Sequence, residues 1–240
     1  MAATLRTDAR RNREALISAA REVFGEQGLE APLDEIAHRA GVGNATLYRR
    51  FPTRCALVAA VFVERLEEHL SALQSALANP DPWRGFCEHV EFMCQLQAAD
   101  LGLADLITMS VPDAPLIEGL RSRAHDGFVE LARRAQAAGA LRPDFMPEDL
   151  VLLLMANAGL VQRTRDHAPD SWRRFVSMVL DGARATAASS APPAPDPGAL
   201  ERSMRAQAES AGCQQPSSSC RPGRGDRARL AASLHRLPRK

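Results

Sequence analysis

Hydrogen-bonding side chains crowd one short stretch of this 240-residue sequence: Asn44, Thr46, Tyr48, Arg49, Arg50 and, just beyond, Arg54. Arginine matches the acceptors on a guanine edge, and an asparagine amide matches adenine. Tyrosine and arginine donors reach phosphate oxygens. Gly43 and Ala45 are small, so the backbone there can come close to base edges. The pattern predicts base contacts from Gly43, Asn44, Ala45, Thr46 and Arg49. It predicts phosphate contacts from Tyr48, Arg50 and Arg54. An ordinary helical hairpin with a solvated basic face is the bland alternative, and charge alone would favour it. The order of residues around these donors decides for nucleic acid.

No other stretch carries comparable chemistry. The sequence holds no phosphate-binding glycine loop, no dinucleotide glycine pattern and no nucleophile elbow. No catalytic residues, metal ligands or cofactor are therefore expected, and the chain does not read as an enzyme. The five cysteines are odd in number and lack framework spacing. Cys87 and Cys94 are seven apart on one helix face, but no ligand cluster surrounds them, and buried thiols are the simpler reading. The six histidines show no metal-ligand spacing.

The donors need a scaffold, and Ala31–Phe51, APLDEIAHRAGVGNATLYRRF, supplies one. Pro32 suits a first helical turn. Leu33, Ile36, Ala37 and Ala40 then recur at helical spacing. Gly41 can take the left-handed conformation that ends a helix. Val42 plugs the turn. A second helix starts near Asn44, whose amide suits an N-cap. Leu47 and Phe51, four apart, bury it against the first helix. Two short helices joined at a glycine turn form a helix-turn-helix over about residues 32–51, the second helix lying in the DNA major groove.

GVGNATLYRRFPTRCAL, preceded by DEIAHRA, resembles the signature of the TetR family of bacterial transcriptional regulators, over about Arg10–Arg65. The resemblance implies an all-helical homodimer. It implies a three-helix N-terminal DNA-binding domain, a long fourth helix, and a C-terminal ligand-binding and dimerisation domain. It also implies a repressor that a small molecule releases from a palindromic operator on double-stranded DNA. Three positions depart from the family pattern: Pro32 where Ser or Thr is common, Gly43 where Ser is frequent, and Arg54 for the usual lysine. A helical small-molecule binder or enzyme with a vestigial helix-turn-helix is the alternative. So is an activator, or a regulator controlled by a partner protein.

Composition agrees with an all-α soluble chain. Hydrophobic residues are 45%, charged residues 25% and aromatics only 5%. The net charge of +1 advertises no nucleic acid, so any positive field must be local. The N-terminus lacks the apolar core of a signal peptide, and no later run could span a membrane. A cytoplasmic location is expected.

Three regions follow. Residues 7–52 read as the DNA-binding domain, opening with an amphipathic helix from about Thr7 to Gln27 whose early arginines Arg6 and Arg10 could meet phosphate. Residues 53–187 read as the regulatory and dimerisation domain. It opens with a helix over Thr53–Ala78, about 39 Å long, and continues as helices near Trp83–Ala98, Asp100–Met109, Leu116–Ala138, Glu148–Asp166 and Pro169–Ala187. The last two suit a dimer interface. An apolar ligand pocket is expected from Phe62, Phe86, His89, Val90, Met93, Leu106, Met109, Phe128, Leu131 and Met155, with Cys94, Thr108 or Asn157 adding polarity. Residues 188–240, rich in Pro, Ser, Gly and Arg, read as a disordered basic tail, with a transient helix at most over Leu200–Ala211.

Overall fold

The computed structural model describes residues 2–109 and 114–212, with side chains from residue 8 onward. Among these, ten α-helices carry the fold. The β pairing is confined to an isolated antiparallel bridge between Leu141 and Arg184. The expected interruption at residues 111–113, the side chain of Arg6 and the tail beyond residue 212 lie outside the described residues.

The head is built from α1 (Ala2–Gln27), α2 (Leu33–Arg39) and α3 (Asn44–Arg50). Leu16, Ala20, Val23 and Phe24 of α1 are fully buried, and Ile36, Ala37 and Leu47 close on them. Gly28 and Gly41 take positive φ, +83° and +67°, at the ends of α1 and α2. The Val42 amide reaches back to Ala37 O at 3.0 Å, which tightens the turn before α3. Two capping details differ from expectation. Pro32 stands at the N-cap of α2, not in its first turn. Gly43 is the N-cap of α3, and Asn44 is already helical.

The long helix α4 (Arg54–Leu77) links head to body and packs on α1, α5 (Pro82–Ala99) and α7 (Pro115–Ala137). Thr53 Oγ1 accepts from Ala56 N at 3.1 Å and caps its start. Leu57, Val58, Val61, Phe62, Leu66, Leu70 and Leu73 form its buried stripe. The body is completed by α6 (Leu101–Thr108), α8 (Pro147–Thr164) and α9 (Ser171–Ala183).

One segment within residues 188–240 is helical, where the sequence suggested at most a transient helix over Leu200–Ala211. Pro197–Ser210 forms α10, capped by Asp196, whose Oδ2 accepts from Ala199 N at 2.7 Å. Leu200, Met204 and Ala208, four apart, are buried. The segment has too few apolar residues to fold alone, but one stripe suffices when an existing surface receives it.

Candidate functional site

The outer face of α3 is open. Gly43, Asn44, Ala45, Tyr48 and Arg49 are exposed, Thr46 and Arg50 are half-buried, and Leu47 points into the head. Tyr48 stands 50% exposed, an unusual position for the chain's one tyrosine. Helical spacing places Asn44, Ala45, Tyr48 and Arg49 on one side. The Asn44 amide is not idle: its Nδ2 donates to Asp34 Oδ1 of α2 at 3.1 Å. The sequence reading missed Asp34, although its carboxylate sets how Asn44 is presented.

Two of the expected phosphate donors are placed differently from one another. Arg50 keeps a buried Nε with no hydrogen-bond partner. Arg54 is half-buried, and its Nη1 donates to Leu29 O at 2.6 Å and to Ala31 O at 2.7 Å. It clamps the connection between α1 and α2. Arg13 lies over the Phe51 ring, 5.6 Å from its centre, and Arg10 is 3.6 Å from Glu14.

The body contains a cavity of about 140 Å³. Of the residues expected to line a pocket, His89, Met93, Leu106 and Phe128 do so. Met109 and Met155 instead line a separate cleft between α1, α6, α8 and α10. Phe62, Phe86, Val90 and Leu131 are buried in the core and line neither. Phe62 stacks on Phe24 across α4 and α1, with ring centres 6.3 Å apart. Asn157 is occupied internally, donating to Gln97 Oε1 at 2.9 Å. Cys94 is buried, and burial pushes its thiol up to about 12, so it is inert as a nucleophile. Thr108 donates to Ala104 O at 3.1 Å.

The sequence reading overlooked His69 and Arg121, which share the cavity wall. The signal was present for His69: it falls between Leu66 and Leu73 on the buried stripe of α4. Its ring stacks on His89 with centres 5.3 Å apart. Burial holds both imidazoles below the ordinary value, His69 down to about 4 and His89 to about 3, with repulsion between the two adding to the second.

Both rings are thus neutral when folded, while the unfolded chain protonates them near 6.5. The unfolded state binds more protons once the pH falls below that value, so acid favours unfolding. Stability should be full above about pH 7 and fall by about 2–4 kcal/mol on reaching pH 5. Burial raises the carboxyls of Asp100 and Asp105, whose titration acts with the opposite sign. Urea unfolding at pH 7.5, 6 and 5 measures the loss. His69→Phe/His89→Phe should flatten it, and an unchanged slope in that variant would exclude the imidazoles as its source.

Head and body meet through α6. The Leu29 amide, in the α1–α2 connection, donates to Asp105 Oδ2 at 2.8 Å. Gly102 abuts Phe24 and Phe62 so closely that an added Cβ would lie 2.9 Å from a carbon of each ring residue. The wall of the cavity (Leu106, Ile107) therefore continues, on the same helix, into the contact with the DNA-facing head.

Among the described residues, no three His, Cys, Asp or Glu side chains are grouped to hold a metal, and no helix is long and apolar enough to cross a membrane. Residues 16–61 match the family model for bacterial regulatory proteins of the tetR family. Residues 81–185 match that for the C-terminal domain of SbtR-like transcriptional regulators. The HTH-type transcriptional activator FasR of Mycolicibacterium smegmatis is 39% identical over 66 residues, 27% of this chain, and the match spans only 30% of that protein's length. A TetR transcription regulatory protein from Mycobacterium vanbaalenii is 33% identical, over 75% of this chain and 99% of the other, with a TM-score of 0.45. The regulator FadR from Bacillus subtilis, solved in complex with stearoyl-CoA, shares the fold: 15% identity, 73% of this chain, 99% of that one, TM-score 0.55. With residues 16–61 and 81–185 both matched by models of its regulators, the chain belongs to the TetR family of DNA-binding transcriptional regulators.

Proposed function

We propose that the protein is a homodimeric repressor that binds a palindromic operator through α3 and leaves it when a small molecule enters the body. The observation that carries this reading is the open outer face of α3, with Asn44, Tyr48 and Arg49 in solvent and Leu47 fixed beneath them. In this reading Gly43, Asn44, Ala45, Thr46 and Arg49 meet base edges, and Tyr48 and Arg50 meet phosphates. Arg54 acts behind them as a clamp. Two copies of α3 would occupy successive major-groove faces about 34–36 Å apart. An effector must favour a state that breaks this spacing, or nothing moves. The path from cavity to head through α6 supports such coupling.

A mobility shift against the gene's own upstream DNA tests the reading. Arg49→Ala should cost about 1–3 kcal/mol on the preferred sequence and relax the base choice there. Tyr48→Phe should weaken all sequences alike. Equal loss on every sequence from both would remove Arg49 from base readout. Absence of any salt-sensitive complex would favour the vestigial alternative.

The dimer reading rests on α8 and α9, which pack together and leave Leu152 and the 64%-exposed Met178 in solvent. A paired face would cover both. Met178→Glu should shift the chain from dimer to monomer in light scattering, because a carboxylate buried without a partner is costly. A monomeric wild type would remove this interface. Activation is the second reading, favoured by the name of the M. smegmatis relative, an activator. A reporter under the bound promoter separates the two: deletion raises its output if the protein represses and lowers it if it activates.

A further inference from the structure

We propose that the body cavity takes a small uncharged molecule of about one-ring size bearing a hydroxyl, which His69 and His89 hold beneath α10. This rests on the reading of the cavity as the effector site and names the class of effector.

Size is the first constraint. A cavity of about 140 Å³ is comparable to the apolar cavities that admit benzene. Most of the wall is hydrocarbon: Leu66, Met93, Leu106, Phe128, Leu150 and Leu154.

The polar part of the wall sets the chemistry. His69 and His89 are 7% and 3% exposed, and both line the cavity. His69 Nε2 and His89 Nδ1 are shut off from solvent with no hydrogen-bond partner. Each such orphan costs about 1–3 kcal/mol, so an apolar residue would serve the fold better. A half-turn of either ring exchanges nitrogen for carbon in the same outline, so a bound molecule can select which atom faces it. Both rings are uncharged in the fold, and each then carries one N–H and one lone pair. A hydroxyl complements that pair, donating to one ring while accepting from the other. A carboxylate only accepts, and it would bring a charge that neutral imidazoles do not answer. Arg121, on the same wall beside His125, is tied to the chain through Nη1, which donates to Leu106 O at 2.7 Å, and Glu118 lies 3.9 Å from its Nε.

The cover is α10. Met204 faces the cavity and also lines the outer cleft between α7, α8 and α10, together with Leu200 and Glu201. A molecule entering along that cleft passes under Met204. The helix lies beyond residues 81–185, the part matched by the C-terminal family model, so this lid belongs to the chain's own extension.

Phenol, toluene and benzoate, added to the full-length protein, test the proposal by calorimetry. Phenol should bind at least about tenfold more tightly than toluene, the margin of one well-placed buried hydrogen bond. Benzoate should bind more weakly than phenol. His69→Phe and His89→Phe should each erase the preference for phenol over toluene while keeping the helical circular dichroism. In the wild type, the ¹⁵N resonances of labelled histidine should move on adding phenol, a readout that needs no variant. Equal binding of phenol and toluene, tighter binding of benzoate, no binding of any probe, or unmoved histidine resonances would each overturn the proposal. Phenol bound without release of DNA in a mobility shift would support the site and sink the effector reading instead.

Discussion

Arg54→Ala should lower the stability of the DNA-free protein by about 2–4 kcal/mol, since two charge-assisted hydrogen bonds to Leu29 O and Ala31 O are lost together. In a domain of this size that is roughly a 10 °C drop in melting temperature. The two carbonyls belong to the connection that leads α1 into α2, so the recognition helix loses its support and DNA affinity falls as a consequence. Arg54→Lys keeps the charge but replaces the guanidinium fork with a single ammonium centre, and it should recover only part of the stability. A residue that touched phosphate alone would behave otherwise. Its alanine variant would melt like the wild type and reduce the salt slope of DNA binding by about one. That pair of results would return Arg54 to the DNA surface.

Gly102→Val should cost about 3 kcal/mol and loosen the head from the body. A Cβ at this position would sit 2.9 Å from Phe24 Cβ, 2.9 Å from Phe62 Cζ and 3.0 Å from Phe24 O. Neither ring can yield, because both are sealed in the core, and the carbonyl is backbone. Helix α6 must then move off α1, which overpacks one side and opens a void on the other. The Asp105 contact with the Leu29 amide would stretch with it. Gly119→Ala is the control. Nothing lies within 4 Å of the added methyl there, and alanine favours the helix by up to about 1 kcal/mol. Urea midpoints measured for both variants should therefore move in opposite directions. A midpoint for Gly102→Val that matched the wild type would show that α1 and α6 do not depend on close approach.

The helix-turn-helix was legible because its constraints are local. Gly41 needs a positive φ, Leu47 sits four before Phe51, and every such demand falls within a few turns of chain. The long helices were legible for the same reason, most with bounds shifted by a residue or two, although α9 stops at Ala183, four residues before the expected Ala187. α1 departs further, running from Ala2 where the helix was expected from about Thr7. What stayed hidden depends on who meets whom across the fold. Arg54 reads as a DNA-facing base until the carbonyls of residues 29 and 31 arrive beside it. Asn44 reads as a free donor until Asp34 comes within 3.1 Å. Phe62 and Phe86 have the spacing of pocket residues and of core residues alike, and only the packing of α1 against α4 decides for the core in the case of Phe62. α10 was legible only as a transient helix over Leu200–Ala211, since its Pro-rich flanks say nothing about the surface a short stripe can settle on.

α10 follows residue 185, the last that the family models match, and under the proposed reading it covers the effector cavity. On that reading, changes at Leu200 or Met204 retune admission to the cavity, while the far end of the same helix reaches the head, with Ala206 and Ser210 in the cleft beside Gln27 and Glu30 and Gly212 against Arg54. Sensitivity and address then travel on one helix, and trimming it would disturb both.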